Sequence, residues 1–478
     1  MDPLKIRALA KAIDDQARST ATSNPKRVKT ALIGIGVKAQ AIIADVDAPT
    51  APPPVVEPPP VVTPPPIVVT PPPVPTPSGN IIDVTAGEPL QSIIDRAPAG
   101  SVIRLEMGAA FPCDLVIKTD KVQIVPRTSV APGVRVTKAM AAGFPRLVGT
   151  VEIQSADVLI GGGVTVQGTV KEATLITDNG IRTVLDKLAI LGSPNGQRRG
   201  IAPHGTDAKI LNCHIDDIWY PDEDAQAICG WDGTNGLLIQ NNYLSATAQS
   251  VMFGGGDPAD ATRSPKRVTM IGNLLTKDPS WRAISQRVKC ALELKNIDGF
   301  TAQHNEFEYS GADHGQAGYL IVLTPRNQDG NAPYSAVTNV LIEDSIGRHS
   351  AGCINMLGSD DEPIEVRPGV WVKRVSGPLD NVIIRRMIFE DIGGSYPGDR
   401  RMFMVNNAPK RVTMEEIAVS GSRFDSTGYF TGAPPVGMVL RRITAPKSYW
   451  GWKIDGGGQG LAAVQQYAPD MIIDTVTE

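Results

Sequence analysis

Five short stretches of this sequence run from apolar residues into polar ones: AICGWDG from Ala227, VMFGGGD from Val251, LELKN from Leu292, LIVLTPRNQD from Leu320 and INMLGSDD from Ile354. Their ends supply Asp232, Asp257, Glu293, Lys295, Arg326, Asp329, Asp360 and Asp361. Strands stacked in register lie about 4.8 Å apart, so equivalent ends of one sheet would line these groups up as a column. With Leu292 and Leu294 turned inward, Glu293 and Lys295 share the outward face. Carboxylates one rung apart would stand near the roughly 5 Å of a retaining glycosidase, and two rungs apart near the roughly 6.5–9.5 Å of an inverting one. An elimination would instead need Lys295 or Arg326 as base and a divalent cation such as calcium on Asp oxygens; no cofactor is otherwise called for. The candidate catalytic residues are therefore Glu293, Asp329, Asp360, Lys295 and Arg326. Asp232, Asp257, Trp231, Trp281, Asn327 and Gln328 are the candidate substrate contacts.

Other residue types add less. The six tryptophans, Trp219, Trp231, Trp281, Trp371, Trp450 and Trp452, fall near turns or insertions, where an indole face can stack on a sugar ring. The five histidines and five cysteines show no metal-ligand spacing, and the odd number of widely separated cysteines reads as small buried residues. GGGD lacks the Lys and Ser/Thr of a phosphate loop. A formal charge of −4 gives no basic field for nucleic acid. No run of 18 apolar residues is present, so no membrane insertion is expected.

The elements that must position the column repeat along the chain. AKILNCHI, GLLIQNNYL, RVTMIGNLL, GFTAQHNEF, NVLIEDSIG, NVIIRRMIF and RVTMEEIAV each read as strand, tight two-residue corner, strand. Their corner residues are Cys213, Asn242, Asn273, Asn305, Ser345, Met387 and Ile417, at intervals of 29, 31, 32, 40, 42 and 30 residues. Between 290 and 330 a third strand completes a rung. Units that cannot bury an apolar face alone must stack. A stacked Asn242, Asn273 and Asn305 would bond rung to rung, with Cys213 and Ser345 continuing the column as small side chains.

This pattern resembles the right-handed parallel β-helix family, which includes pectate lyases and bacteriophage tailspikes. The resemblance implies an all-β coil of three-strand rungs. The run VKCALELKN, RNQDG and YSAV is also similar to a group of bacterial β-helix proteins without an assigned activity, spanning about 232–394, which marks Glu293, Asn296, Arg326, Asn327, Gln328 and Asp329 as one cluster.

In chain order, three segments are expected. Residues 1–48 read as two narrow-faced helices, one starting at Asp2-Pro3 and one at Asn24-Pro25, suited to anchoring in an assembly. Residues 49–79 hold Pro triplets with Val or Thr spacers, an extended rod of roughly 90 Å at about 3.1 Å per residue. Residues 80–478 are the β-helix, opened by a strand, a short helix with Leu90, Ile93 and Ile94 on one face, and a strand, which looks like the cap that closes the first rung. Thin rungs VQIVP, VRVTK, VEIQS, VLIGG and VTVQG follow. Insertions at 325–337 and 358–378 lengthen the period, and SYWGWKIDGGG belongs to a last coil or C-terminal cap.

An anchor, a spacer and a capped coil behind an N-terminus without an apolar secretory core fit a phage spike or fibre made in a host cytoplasm and carried on the virion. The tailspike resemblance implies a homotrimer that binds host cell-surface polysaccharide, with its depolymerisation by hydrolysis or elimination as the candidate activity, and that holds other virion proteins through residues 1–48. Two alternatives stay open: a non-catalytic structural or decoration fibre, and an extracellular bacterial polysaccharide lyase or hydrolase.

Overall fold

A computed structural model of the chain describes residues 79–284, 287–313, 315–327, 330–361, 363–373 and 375–477. The expected helical anchor at 1–48 and all but the end of the Pro-rich spacer at 49–79 lie outside the described residues. From Ile81 onward the chain coils into a stack of parallel strands: one sheet of 20 strands, a second of 12, and a separate two-stranded ribbon. Each rung crosses the 20-stranded sheet twice, on either side of a corner, and the 12-stranded sheet once. Lys209–Leu211, His214–Ile218 and Gln226–Gly230 make one such rung, stacked on Leu238–Gln240, Tyr243–Ala246 and Gln249–Phe253 of the next.

The corner is built by one residue in the left-handed region followed by one that points inward. Asn212, Asn241, His304, Asp344, Arg386 and Glu416 take φ between 51° and 56°, and Gly272 takes 64° in the same place. Asn and Gly reach this conformation easily, whereas Arg386 and Glu416 adopt it at a cost. Part of that cost is offset by ion pairs, Arg386 to Asp344 at 2.6 Å and Glu416 to Arg442 at 2.8 Å. Inside the corner, the Asn ladder forms as its spacing implies. Asn242 Nδ2 donates to Asn273 Oδ1, and Asn273 Nδ2 to Asn305 Oδ1, each at 2.9 Å. The Cys213 backbone N donates to Asn242 Oδ1 at 2.8 Å and that of Asn305 to Ser345 Oγ at 3.0 Å, so the small side chains extend the column at both ends. All five cysteines are free thiols, and four are buried.

One continuous apolar core fills the coil. At its N-terminal end helix α1, Leu90–Arg96, lays Leu90 and Ile94 over the first rung. At the other end helix α2, Leu461–Tyr467, buries Val464 against the last rung, which Trp452 fills at 1% exposure. SYWGWKIDGGG supplies the last coil through strand Trp452–Ile454, as expected, and this second cap follows it.

Two expectations about the thin rungs are corrected: VLIGG and VTVQG are the two legs of one rung, in the single strand Leu159–Gln167, and VRVTK is not a rung. VRVTK alternates like a strand, yet residues 134–138 belong to no strand. The chain there leaves the coil and crosses its outside, where Val136, Ala141 and Phe144 cover Ala189 and Leu191. Outward-facing aliphatic residues on the sheet need that cover. Val136 N bonds Asn212 O at 3.0 Å, and Lys138 pairs with Asp217 at 2.7 Å and Asp216 at 3.2 Å to tie the strap down.

Candidate functional site

The five polar-ended stretches are consecutive strands of the 12-stranded sheet. Register places Cys229, Met252, Glu293, Val322, Asn355, Met404, Tyr429 and Lys453 in one outward column. Beside it runs a second column, Arg199, Gln226 and Gln249.

These two columns are joined by a chain of side-chain hydrogen bonds. Arg199 Nε donates to Gln226 Oε1 at 3.1 Å, Gln226 Nε2 to Gln249 Oε1 at 3.2 Å, and Gln249 Nε2 to Glu293 Oε2 at 2.6 Å. The same Gln249 nitrogen reaches Asp224 Oδ2 at 3.3 Å. Gln226, Gln249 and Glu293 are each no more than 1% exposed, so the groups of this row must satisfy one another rather than solvent. Lys295 Nζ lies 3.7 Å from Glu293, and Lys289 Nζ donates to Asp224 at 2.8 Å. Burial alone would raise the Asp224 carboxyl; Lys289 and Gln249 more than reverse that and hold it below the usual carboxylate range. Lys277 is buried beneath, donating to the carbonyls of Ala246 and Ala248 at 3.0 and 2.8 Å. The cations Arg199, Lys277, Lys289 and Lys295 outnumber the carboxylates Asp224 and Glu293, which makes this floor electropositive.

The expected site residues divide into several groups. Glu293 and Lys295 come together as their strand phase implies. Arg326 adjoins them, its backbone N donating to Lys295 O at 3.2 Å and its guanidinium 3.9 Å from Asp360. Asp360 and Asn327 are engaged in fixing loop roots: Asp360 Oδ2 accepts from Asn327 N at 2.9 Å, and Asn327 Oδ1 from Ala332 N at 2.8 Å. Asp232 is held by a two-pronged bond from Arg263, at 2.6 and 2.8 Å. Asp257 is exposed. Trp231 carries the Arg199 guanidinium 4.5 Å above its ring and the His204 edge at 4.3 Å. Trp281, 7% exposed, lies in a turn that leads into the sheet from its other end, so it does not join Trp231. Gln328 and Asp329 lie outside the described residues.

Arg199, Asp224, Gln226, Gln249 and Lys289 were not expected. The signal was present in the paired segments AQAICG and AQSVMFG, where Gln precedes an apolar run by the same interval. It becomes visible only once the two strands are in register.

Chemically, the row itself is closed, but the half-buried Arg199, Trp231, Lys295 and Arg326 beside it can meet an anionic or richly hydroxylated chain. The row also holds a carboxylate pair, because one amide nitrogen touches both. The facing oxygens of Glu293 and Asp224 are thus under about 6 Å apart, but the Gln249 amide fills the space between them, so this pair holds the row together rather than flanking a glycosidic bond. Among the described residues, no three His, Cys, Asp or Glu side chains are grouped to hold a metal ion.

No protein-family model matches this chain, and no curated protein matches it. Among solved structures it is similar to a PL6 family polysaccharide lyase from Pseudopedobacter saltans, at 12% identity over 83% of this chain and 92% of that one, with a TM-score of 0.46. It is also similar to the mannuronan C-5 epimerase AlgE6 A-module of Azotobacter vinelandii, at 11% identity, 83% and 88% coverage and a TM-score of 0.40. A third similarity is to the tailspike protein of E. coli bacteriophage HK620, at 13% identity, 76% and 60% coverage and a TM-score of 0.38. Parallel crossover connections take the right-handed sense almost without exception. With its two large parallel sheets, three strands to a rung and an internal corner ladder, this chain is a right-handed parallel β-helix protein.

Proposed function

We propose that the protein binds polysaccharide along the outer face of its 12-stranded sheet, and that it does so as the host-recognition spike of a phage particle. The observation that carries the binding reading is the set of half-buried groups along the rim of this face, Arg199 over Trp231, Lys295 and Arg326, held in place by the buried row from Gln226 through Gln249 to Glu293. A fold needs no such row on an outward face; an apolar cover would be simpler there. Excess positive charge suits a glycan bearing carboxylate groups. Virion attachment through residues 1–48 and a spacer over 49–79 rest on the helical periodicity and Pro triplets of the sequence, and a trimeric state on the resemblance to tailspikes.

The test incubates the full-length protein with capsule, lipopolysaccharide and acidic polysaccharides from candidate hosts. Retention, reducing ends and the absorbance of unsaturated uronate are followed together. Binding without either product signal describes an adhesive fibre. Reducing ends alone describe hydrolysis. Both signals describe elimination, with Lys295 and Arg326 as the groups to substitute and a divalent cation to add or chelate. A folded protein that binds nothing across a broad panel would refute the reading, and sedimentation apart from purified particles would refute the virion role.

A further inference from the structure

The insertion at 358–378 carries the one antiparallel ladder among the described strands, Pro363–Arg367 against Val370–Lys373, in a sheet with no third strand. An isolated two-stranded ribbon is marginal in water, so its root must hold it. That root is firm. Asp360 N donates to Ser376 Oγ and Ser376 N to Asp360 O, both at 2.9 Å, and Asp361 pairs with Lys373 at 2.7 Å. It stands at the end of the 12-stranded sheet that also bears Lys295 and Arg326, since Arg326 lies 3.9 Å from Asp360.

At the far side of this fixed root the ribbon presents Trp371 at 60% exposure. Trp281 and Trp452 are buried, and Trp219, Trp231 and Trp450 are half-buried. Directly across the ribbon from Trp371 is Glu365, and across from Val370 is Arg367. Val366, Val370 and Val375 on or beside the ribbon are exposed too, so the indole belongs to an apolar strip edged by Glu365 and Arg367. Such a strip suits a ring with one C–H face for the indole and hydroxyls for the charged edge.

We propose that this ribbon is a glycan-binding arm, with Trp371 as its stacking surface, extending the site beyond the sheet. The proposal rests on the polysaccharide-binding reading above. A long chain would then touch both the rim at Lys295 and Arg326 and the arm, whereas a short fragment would occupy the rim alone.

The test compares full-length wild type, Trp371→Ala and Trp371→Phe against a length series cut from whichever polysaccharide the wild type retains. Trp371→Ala is expected to weaken long-chain binding about tenfold and leave the shortest bound fragments unchanged, while Trp371→Phe stays within a few-fold of wild type. Long chains should also shield the iodide-quenchable tryptophan emission that Trp371→Phe removes. Equal affinity at every length, with an unchanged circular dichroism spectrum, would overturn the arm while leaving the rim reading intact. Altered oligomeric state with unchanged binding per subunit would overturn it too, making the ribbon a contact between copies. No binding by the wild type would overturn both readings.

Discussion

Asn273 Oδ1 accepts two hydrogen bonds from Asn242, one from its backbone N at 3.0 Å and one from its side-chain Nδ2 at 2.9 Å. Both residues are buried, so each rung of the corner is fastened to the next by a group that has no access to water. The ladder is the point where stacking order is written into a polar contact.

Asn273→Ala removes the acceptor for both Asn242 donors and the donor to Ile239 O. Stranded buried groups cost about 1–3 kcal/mol each, so a loss of about 3 kcal/mol or more is expected, read as faster unfolding in guanidinium chloride. A change no larger than that of an exposed Asn→Ala substitution would show that the ladder adds nothing to stability.

Glu343, Arg385, Glu415, Arg441 and Asp474 form one register column on successive rungs, so charge alternates along it. Arg385 Nε reaches Glu343 at 2.7 Å. Arg385→Glu would set carboxylates on three consecutive rungs and is expected to cost about 2 kcal/mol more than Arg385→Met. Adding Glu343→Arg should recover part of that difference, as a double-mutant cycle in thermal unfolding would record.

Asp216 ties down the external strap through Lys138. Burial alone would raise its carboxyl, but the His214 imidazole 3.7 Å away, together with Asp217 N and Lys138, draws it from its ordinary 3.8 down to about 2. A depressed carboxylate stabilises above its unfolded value, and that contribution disappears as pH falls through the folded value. Amide protection over 134–144 should therefore decline between 3.8 and about 2. Asp216→Asn should loosen the same segment at neutral pH, measured by hydrogen exchange.

Lys289→Met and Lys295→Met should each weaken retention of an acidic polysaccharide about tenfold at low salt and flatten its dependence on sodium chloride. Lys453→Met, five rungs beyond Lys289 in the same sheet, should have the smaller effect. Equal losses for all three would mean that general charge, rather than the floor, attracts the chain.

The sequence alone was enough for the coil. Side chains alternate with period two, an apolar face on each short strand has to be buried, and buried Asn residues at 242, 273 and 305 need partners that only stacking supplies. It was enough, too, for the outward phase shared by Glu293 and Lys295. Tertiary structure decided what covers what. VRVTK has the alternation of a rung but serves as a strap, because Ala189 and Leu191 on a distant strand required shielding. Asp232 is engaged by Arg263 and Asp360 by Asn327, pairings set by where loops return rather than by strand phase. The row from Arg199 to Glu293 spans strands separated by insertions of unequal length. Local periodicity determines which way a side chain points, whereas its neighbours on the outer face depend on register between segments far apart in the chain.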